Sequence, residues 1–188
     1  ASSHELELAG GVLPTVAPLT VYLPQAAGPF PVVVFHHGFE LGADLYSSVG
    51  EHLASWGYVV VLPQMPGGLF GGPTHVDLKG HLITLLDWIE AEAGGALEGK
   101  ADAAVIGLAG HSMGGKISML VATEDDRPLA VFGVDPVDAA GGPLAVSPTD
   151  YPSVTPELMD QVTVPLGLLG ETTNGTSSGI MGQACAPE

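Results

Sequence analysis

The sequence predicts a single α/β domain built on a doubly wound, mostly parallel sheet with helices on both faces. Two continuous apolar runs, Pro31-Val32-Val33-Val34-Phe35 and Tyr58-Val59-Val60-Val61-Leu62, have the length and β-branched content of strands buried on both faces, as central parallel strands are. Segments with apolar residues at helical spacing alternate with such runs, which is the pattern of βα units. A further run, Ala103 to Ala109, leads into Gly110-His111-Ser112-Met113-Gly114-Gly115 and then into another helical pattern.

Each element follows in order. Leu6 and Leu8 alternate with acids, and Leu19, Val21 and Leu23 alternate with Pro18, Thr20 and Tyr22, giving two half-buried strands around a Gly10-to-Pro14 connection, expected as an antiparallel edge. After the turn at Gly28-Pro29 comes the first buried strand. Asp44 to Trp56 reads as a helix with Leu45, Val49, Leu53 and Trp56 on one face, closed by Gly57. The second buried strand follows. Thr74 is the expected N-cap of the next helix, with Leu78, Leu82, Leu85 and Ile89 on one stripe and Gly94-Gly95 as its stop. Next come the Ala103–Ala109 strand and a helix from Met113 onward carrying Ile117, Leu120 and Val121. A strand over Leu129 to Val134 precedes a Gly/Pro-rich stretch from Gly141 to Pro156. A short helix near Glu157 to Gln161 and a last strand, Val164 to Leu169, complete the pattern. The tail from Thr172 to Glu188 is polar and without period. There is no internal repeat, so residues 1–188 read as one domain.

Composition narrows the function classes. With 21 acidic against 4 basic residues, the formal net charge of −17 argues against binding nucleic acid or an anionic membrane by charge. Cys185 is the only cysteine, so no intrachain disulfide and no Cys/His zinc spacing exists. No run of eighteen or more apolar residues occurs, the first residues are not expected to be a signal peptide, and the absent initiator Met suggests trimming. Asn174-Gly175-Thr176 fits the glycosylation sequon.

The chemistry concentrates at Ser112. In G-x-S-x-G the small flanking residues let the chain turn sharply from strand to helix, which leaves the serine strained and exposed as a nucleophile. An anionic tetrahedral intermediate needs two donors preset where charge develops. His36-His37-Gly38-Phe39 ends the first buried strand, so the expected donors are the amides of Phe39 and Met113. The triad acid should come from the end of a later strand. Asp135 terminates an apolar strand and is the first candidate, with Asp138 in the following turn and Glu171 past the last strand as alternatives.

Competing readings are weaker. Gly110 through Lys116 imitates a phosphate-binding G-x-x-x-x-G-K loop, but Ile117 stands where a Ser or Thr should bind magnesium. His36 and His37 are adjacent in an extended segment and point to opposite faces, so structural roles are expected rather than metal ligation. His75 and His81 are expected on the surface of the Thr74 helix. No metal and no organic cofactor is expected. The Gly67-Gly68-Leu69-Phe70-Gly71-Gly72-Pro73 stretch is expected to form an apolar rim that accepts a hydrophobic group.

Several stretches together resemble the α/β-hydrolases and, more narrowly, the chlorophyllase family, with cutinase-like polyesterases and platelet-activating-factor acetylhydrolases as relatives. They are Pro31 to Phe39, Tyr46-Ser47-Ser48, His52 to Gln64, the Gly110–Lys116 segment, Gly133-Val134-Asp135-Pro136-Val137-Asp138, and the final Cys185-Ala186-Pro187-Glu188. The resemblance implies an α/β-hydrolase fold, a hydrophobic ester substrate, and cleavage of the ester joining chlorophyllide to phytol, in the chloroplast or as a soluble cytoplasmic enzyme. It places the nucleophile on Ser112 and the acid on Asp135. Met113 departs from the basic residue that plant members often carry there and matches the polyesterases, which makes a lipase or polyesterase the alternative. A pigment- or lipid-binding homologue without catalysis is the alternative of another class.

The base is missing from the pattern. All seven histidines lie at or before His111, whereas the order Ser, acid, His requires one after the last strands. We therefore expect residues 1–188 to be the N-terminal portion of a longer polypeptide, lacking the last strand and helix, with the catalytic histidine on the remainder or on a second chain. The strand Val164 to Leu169 is expected to stand at an unpaired edge.

Overall fold

The computed structural model describes residues 1–8, 15–68, 72–138 and 147–170. They form one seven-stranded sheet in the order β1-β2-β4-β3-β5-β6-β7. The strands are β1 (Ser2–Leu8), β2 (Thr15–Tyr22), β3 (Phe30–His36), β4 (Val59–Pro63), β5 (Ala101–His111), β6 (Pro128–Val134) and β7 (Leu166–Leu169). Three α-helices accompany them: α1 (Ser47–Ser55), α2 (His75–Glu92) and α3 (Met113–Ala122). β1 pairs antiparallel with β2, and β2 with β4. Every other pairing is parallel. The expected antiparallel edge and parallel centre are both present, and among the described residues β7 is the last strand of the sheet. The Gly10-to-Pro14 connection and Leu69 to Gly71 lie outside the described residues, as do Glu171, Asn174 and Cys185.

The two valine runs are apolar throughout because alternate residues enter different cores. Val32, Val34, Val59 and Val61 join Leu78, Leu82, Leu85 and Ile89 of α2 and Ile117, Leu120 and Val121 of α3 on one face. Phe35, Val60 and Leu62 join Val49 and Leu53 of α1 on the other. Side chains alternate across a strand, so a strand covered on both faces needs an apolar residue at every position.

This winding creates the crevice that matters. From β3 the chain crosses by α1 to β4, on one side of β3, then returns by α2 to β5 on the other side. The loops leaving the carboxyl ends of β3 and β5 therefore diverge at a topological switch point, where open α/β sheets place their ligands.

The structure corrects several details. The helix expected over Asp44–Trp56 begins as a 3-10 turn, Ala43–Tyr46, before α1 proper. The tighter turn changes the register of Leu45, which points to solvent at 64% exposed, while Tyr46 packs on Phe35 with ring centroids 5.0 Å apart. Trp56 stands at the C-cap past the end of α1 and is 73% exposed. The short helix near Glu157–Gln161 is a 3-10 turn over Met159–Gln161, and the last strand is shortened by Pro165, starting at Leu166. Thr74 caps α2 as expected, accepting from the Asp77 amide at 3.1 Å while Asp77 Oδ2 accepts from the Thr74 amide at 2.8 Å. On the α1 face, an open apolar trough of about 1110 Å³ runs over β5 and β6 from Tyr46, His111 and Val134 to Val105 and Leu129.

Candidate active site

Ser112 sits between β5 and α3 with φ 53° and ψ −119°, a left-sided conformation that a non-glycine residue adopts only when its surroundings enforce it. The enforcement is visible on both sides. Its amide donates to Val134 O at 2.9 Å, and its carbonyl accepts from the amides of Gly115, Lys116 and Val137 at 3.1, 3.3 and 3.4 Å. The glycines answer to close packing. A Cβ on Gly110 would lie 2.3 Å from the Gly114 carbonyl carbon, and one on Gly114 would lie 2.1 Å from His36 O. The turn therefore seats itself against the end of β3 as well as against β6.

The loop after β3 reaches the same place. A Cβ on Gly38 would stand 3.4 Å from Ser112 Cβ and 3.0 Å from His111 Nδ1. Phe39 follows directly, and Met113 opens α3, so the two segments expected to carry the anion-binding amides lie side by side at the switch point. The Tyr46 hydroxyl joins them, lying 2.7 Å from His111 Nδ1 and accepting from the Gly38 amide at 3.4 Å. Sequence reasoning did not single out Tyr46 or His111 as site residues. The only signal was the presence of Tyr46 in a stretch shared with relatives, because a contact across 65 positions has no local pattern.

His36 and His37 both turn into the protein. His37 Nε2 accepts from the Met65 amide at 3.0 Å and its Nδ1 lies 2.8 Å from Gly38 O, so the ring ties the loop to the segment after β4. His36 is fully buried with Nδ1 2.8 Å from His37 O, and burial pushes its pKa down to about 3, with the neighbouring His37 acting in the same direction. His75 and His81, expected at the surface, are 4% and 5% exposed. Both flank the buried stripe of α2, at helical spacing from Leu78 and Leu82, and lie near the buried His36. The segment after residue 147 also crosses the start of α2, with Val76 N bonded to Asp150 O at 3.2 Å and the His75 ring 4.8 Å from that of Tyr151. Burial lowers the pKa of His75 to about 4 and lowers that of His81. Among the described residues no group of three His, Cys, Asp or Glu side chains is placed to hold a metal ion.

The acids separate by environment. Asp135 ends β6 at φ 45°, directly after the residue whose carbonyl holds the Ser112 amide, and its own amide donates to Leu169 O at 2.6 Å. His111 pairs with Val134 in register, so Ser112 and Asp135 leave their strands at the same level. Asp138 is occupied otherwise. Its Oδ1 accepts from Val154 N at 2.8 Å, its Oδ2 accepts from Ser153 Oγ, Thr155 N and Thr155 Oγ1 at 2.6, 2.8 and 2.7 Å, and Lys116 Nζ lies 3.4 Å from Oδ1. Of the rim, Gly67, Gly68, Gly72 and Pro73 are described, with Glu40 Oε1 3.6 Å from where a Gly67 Cβ would stand.

Sheet order, switch point and a strained serine between strand and helix define the α/β-hydrolase fold. Solved structures agree: the α/β hydrolase GrgF from Penicillium sp. sh18 superposes with a TM-score of 0.60 at 18% identity, over 74% of this chain and 47% of that one. The structure of DcsB in complex with its substrate analogue gives 0.58 at 20% identity, over 73% and 47%. Within that class the chain belongs to the chlorophyllase family, whose sequence model matches residues 3–188. Chlorophyllase-1 of Arabidopsis thaliana is 32% identical over 180 residues, 90% of this chain and 54% of the relative. The chloroplastic chlorophyllase-1 of Citrus sinensis is 27% identical over 93% of this chain and 51% of its own length. The chain thus spans about half the length of the curated relatives it matches.

Proposed function

We propose that the protein is a serine carboxylic-ester hydrolase that cleaves chlorophyll-type esters to chlorophyllide and phytol. One observation carries the catalytic part: Ser112 is held in a strained turn at the helix start, with the loop of Phe39 on one side and the turn of Asp135 on the other. Ser112 Oγ attacks the ester carbonyl and passes its proton to a histidine. The tetrahedral oxyanion is held by the amides of Phe39 and Met113. Collapse of the intermediate breaks the ester bond, and the departing alkoxide takes the proton from the imidazolium. Water then repeats the sequence on the acyl-enzyme, freeing the acid and restoring Ser112.

Asp135 is the residue we assign to orient that histidine, in preference to Asp138, whose two carboxylate oxygens already accept four hydrogen bonds. Glu171 lies outside the described residues and remains the alternative acid. No histidine follows Ser112 in the sequence, and His111 is engaged by Tyr46. The substrate assignment rests on the relatives, which are chlorophyllases. Met113, the residue type found after the nucleophile in polyesterases, favours a second reading as a lipase or polyesterase.

The test is a comparison of kcat/KM for chlorophyll and for short p-nitrophenyl esters, with the protein expressed from its complete reading frame. Chlorophyllide release with the higher kcat/KM supports the proposal. Preference for short esters or polyester films without chlorophyllide release supports the second reading, and tight chlorophyllide binding without turnover supports a carrier.

A further inference from the structure

We propose that the buried Lys116–Asp138 pair is a positioning device that locks the turn bearing Asp135 onto the helix bearing Ser112. The inference rests on the assignment of those two residues above. Lys116 lies one helical turn past Ser112, whose carbonyl accepts its amide at 3.3 Å. Its side chain is wholly inaccessible, and its Nζ reaches both Asp138 O at 3.3 Å and Asp138 Oδ1 at 3.4 Å. Asp138 in turn lies three residues past Asp135. Between them, Val137 N returns to Ser112 O at 3.4 Å, and the Cβ position of Gly115 is 2.9 Å from Pro136 Cβ. The contacts thus close a ring through Ser112, Lys116, Asp138, Val137 and Val134, with Asp135 inside it at φ 45°.

Stability alone is a poor reason for such a pair. Removing two charges from water is costly, and apolar residues of similar volume usually hold a core as well. What an ion pair adds is a fixed relation between two chain segments, here made firmer because the Asp138 carboxylate also binds Ser153, Val154 and Thr155. Burial by itself would raise the Asp138 pKa, but those hydrogen bonds hold it below the ordinary carboxylate value. Burial lowers the Lys116 pKa and the Asp138 charge opposes that. Around the pair, α2 contributes His75, and the segment after residue 147 contributes the Tyr151 ring that packs on it. Four segments therefore meet at one buried charge pair beneath the nucleophile. Misplacing Asp135 relative to Ser112 by a fraction of an ångström would leave binding intact and slow the chemistry.

The experiment measures kcat, KM and Tm on Lys116→Met, Lys116→Met/Asp138→Asn and Lys116→Arg, with Ser112→Ala and Asp135→Asn alongside, all expressed from the complete reading frame. The double variant guards against Lys116→Met failing to fold, since it leaves no unpaired charge. The proposal expects both Met-containing proteins to lose about tenfold or more in kcat with KM within about twofold, well below their Tm. Lys116→Arg should recover most of the loss. Wild-type kcat in the folded double variant, with Ser112→Ala and Asp135→Asn inactive, overturns the positioning role and leaves the site intact. Full activity in Ser112→Ala overturns both.

Discussion

The Tyr46 hydroxyl lies 2.7 Å from His111 Nδ1, so the residue before Ser112 is bonded to the start of α1 and, through the same oxygen, to the Gly38 amide. The one oxygen therefore joins the turn at Ser112 to the loop after β3. Tyr46→Phe removes only this bridge between the elbow and the loop of Phe39. We expect kcat to fall about tenfold with little change in KM or Tm, less than loss of a direct oxyanion donor. Steady-state kinetics and a thermal melt check it, and unchanged kcat would show that the loop holds its place without Tyr46.

Asp135→Asn should cost far more rate than Asp138→Asn or Glu171→Gln, by about 10⁴-fold in kcat, because the triad acid fixes the histidine tautomer and stabilises the imidazolium. Ordering decides the outcome. If Glu171→Gln were the damaging change, the acid would lie after β7.

Gly114→Ala should fail structurally. The new Cβ would meet His36 O at 2.1 Å and His37 O at 2.6 Å, backbone atoms of a central strand and its loop that cannot yield cheaply. Loss of more than about 3 kcal/mol is expected, read as a fall in Tm or as insolubility. A soluble variant with wild-type Tm would mean that the elbow is not packed on β3 as described.

Acid should destabilise the fold between about pH 6.5 and pH 3. The folded pKa of His36 is about 3 and that of His75 about 4, both depressed chiefly by burial. The unfolded chain therefore binds more protons over that window, and stability is full above the unfolded value and lost as pH falls below it. At pH 5 the fully buried His36 accounts for about 2 kcal/mol. Tm measured against pH should flatten in His36→Leu, and an unchanged slope would assign the acid sensitivity elsewhere.

Much of the fold was legible because both-face burial writes continuous valine runs and because the Thr74 cap and the Gly110–Gly115 turn have local signatures. What misled was non-local. Leu45 fits a helical stripe that the 3-10 turn rotates to solvent, Trp56 falls just past the end of α1, and the His75 end of α2 is crossed by a segment some seventy positions away. The ring of contacts from Ser112 through Lys116 and Asp138 was likewise hidden. An aspartate after a strand looks the same in sequence whether it faces a histidine or four hydrogen-bond donors.

Covalent labelling tests the central claim most directly. The protein from its complete reading frame is treated with a fluorophosphonate, and the adduct is located by peptide mass, with Ser112→Ala as control. The account predicts one adduct, on Ser112, and an unlabelled variant that no longer hydrolyses esters. Labelling at another residue, or ester hydrolysis by Ser112→Ala within about tenfold of the wild-type rate, would contradict it.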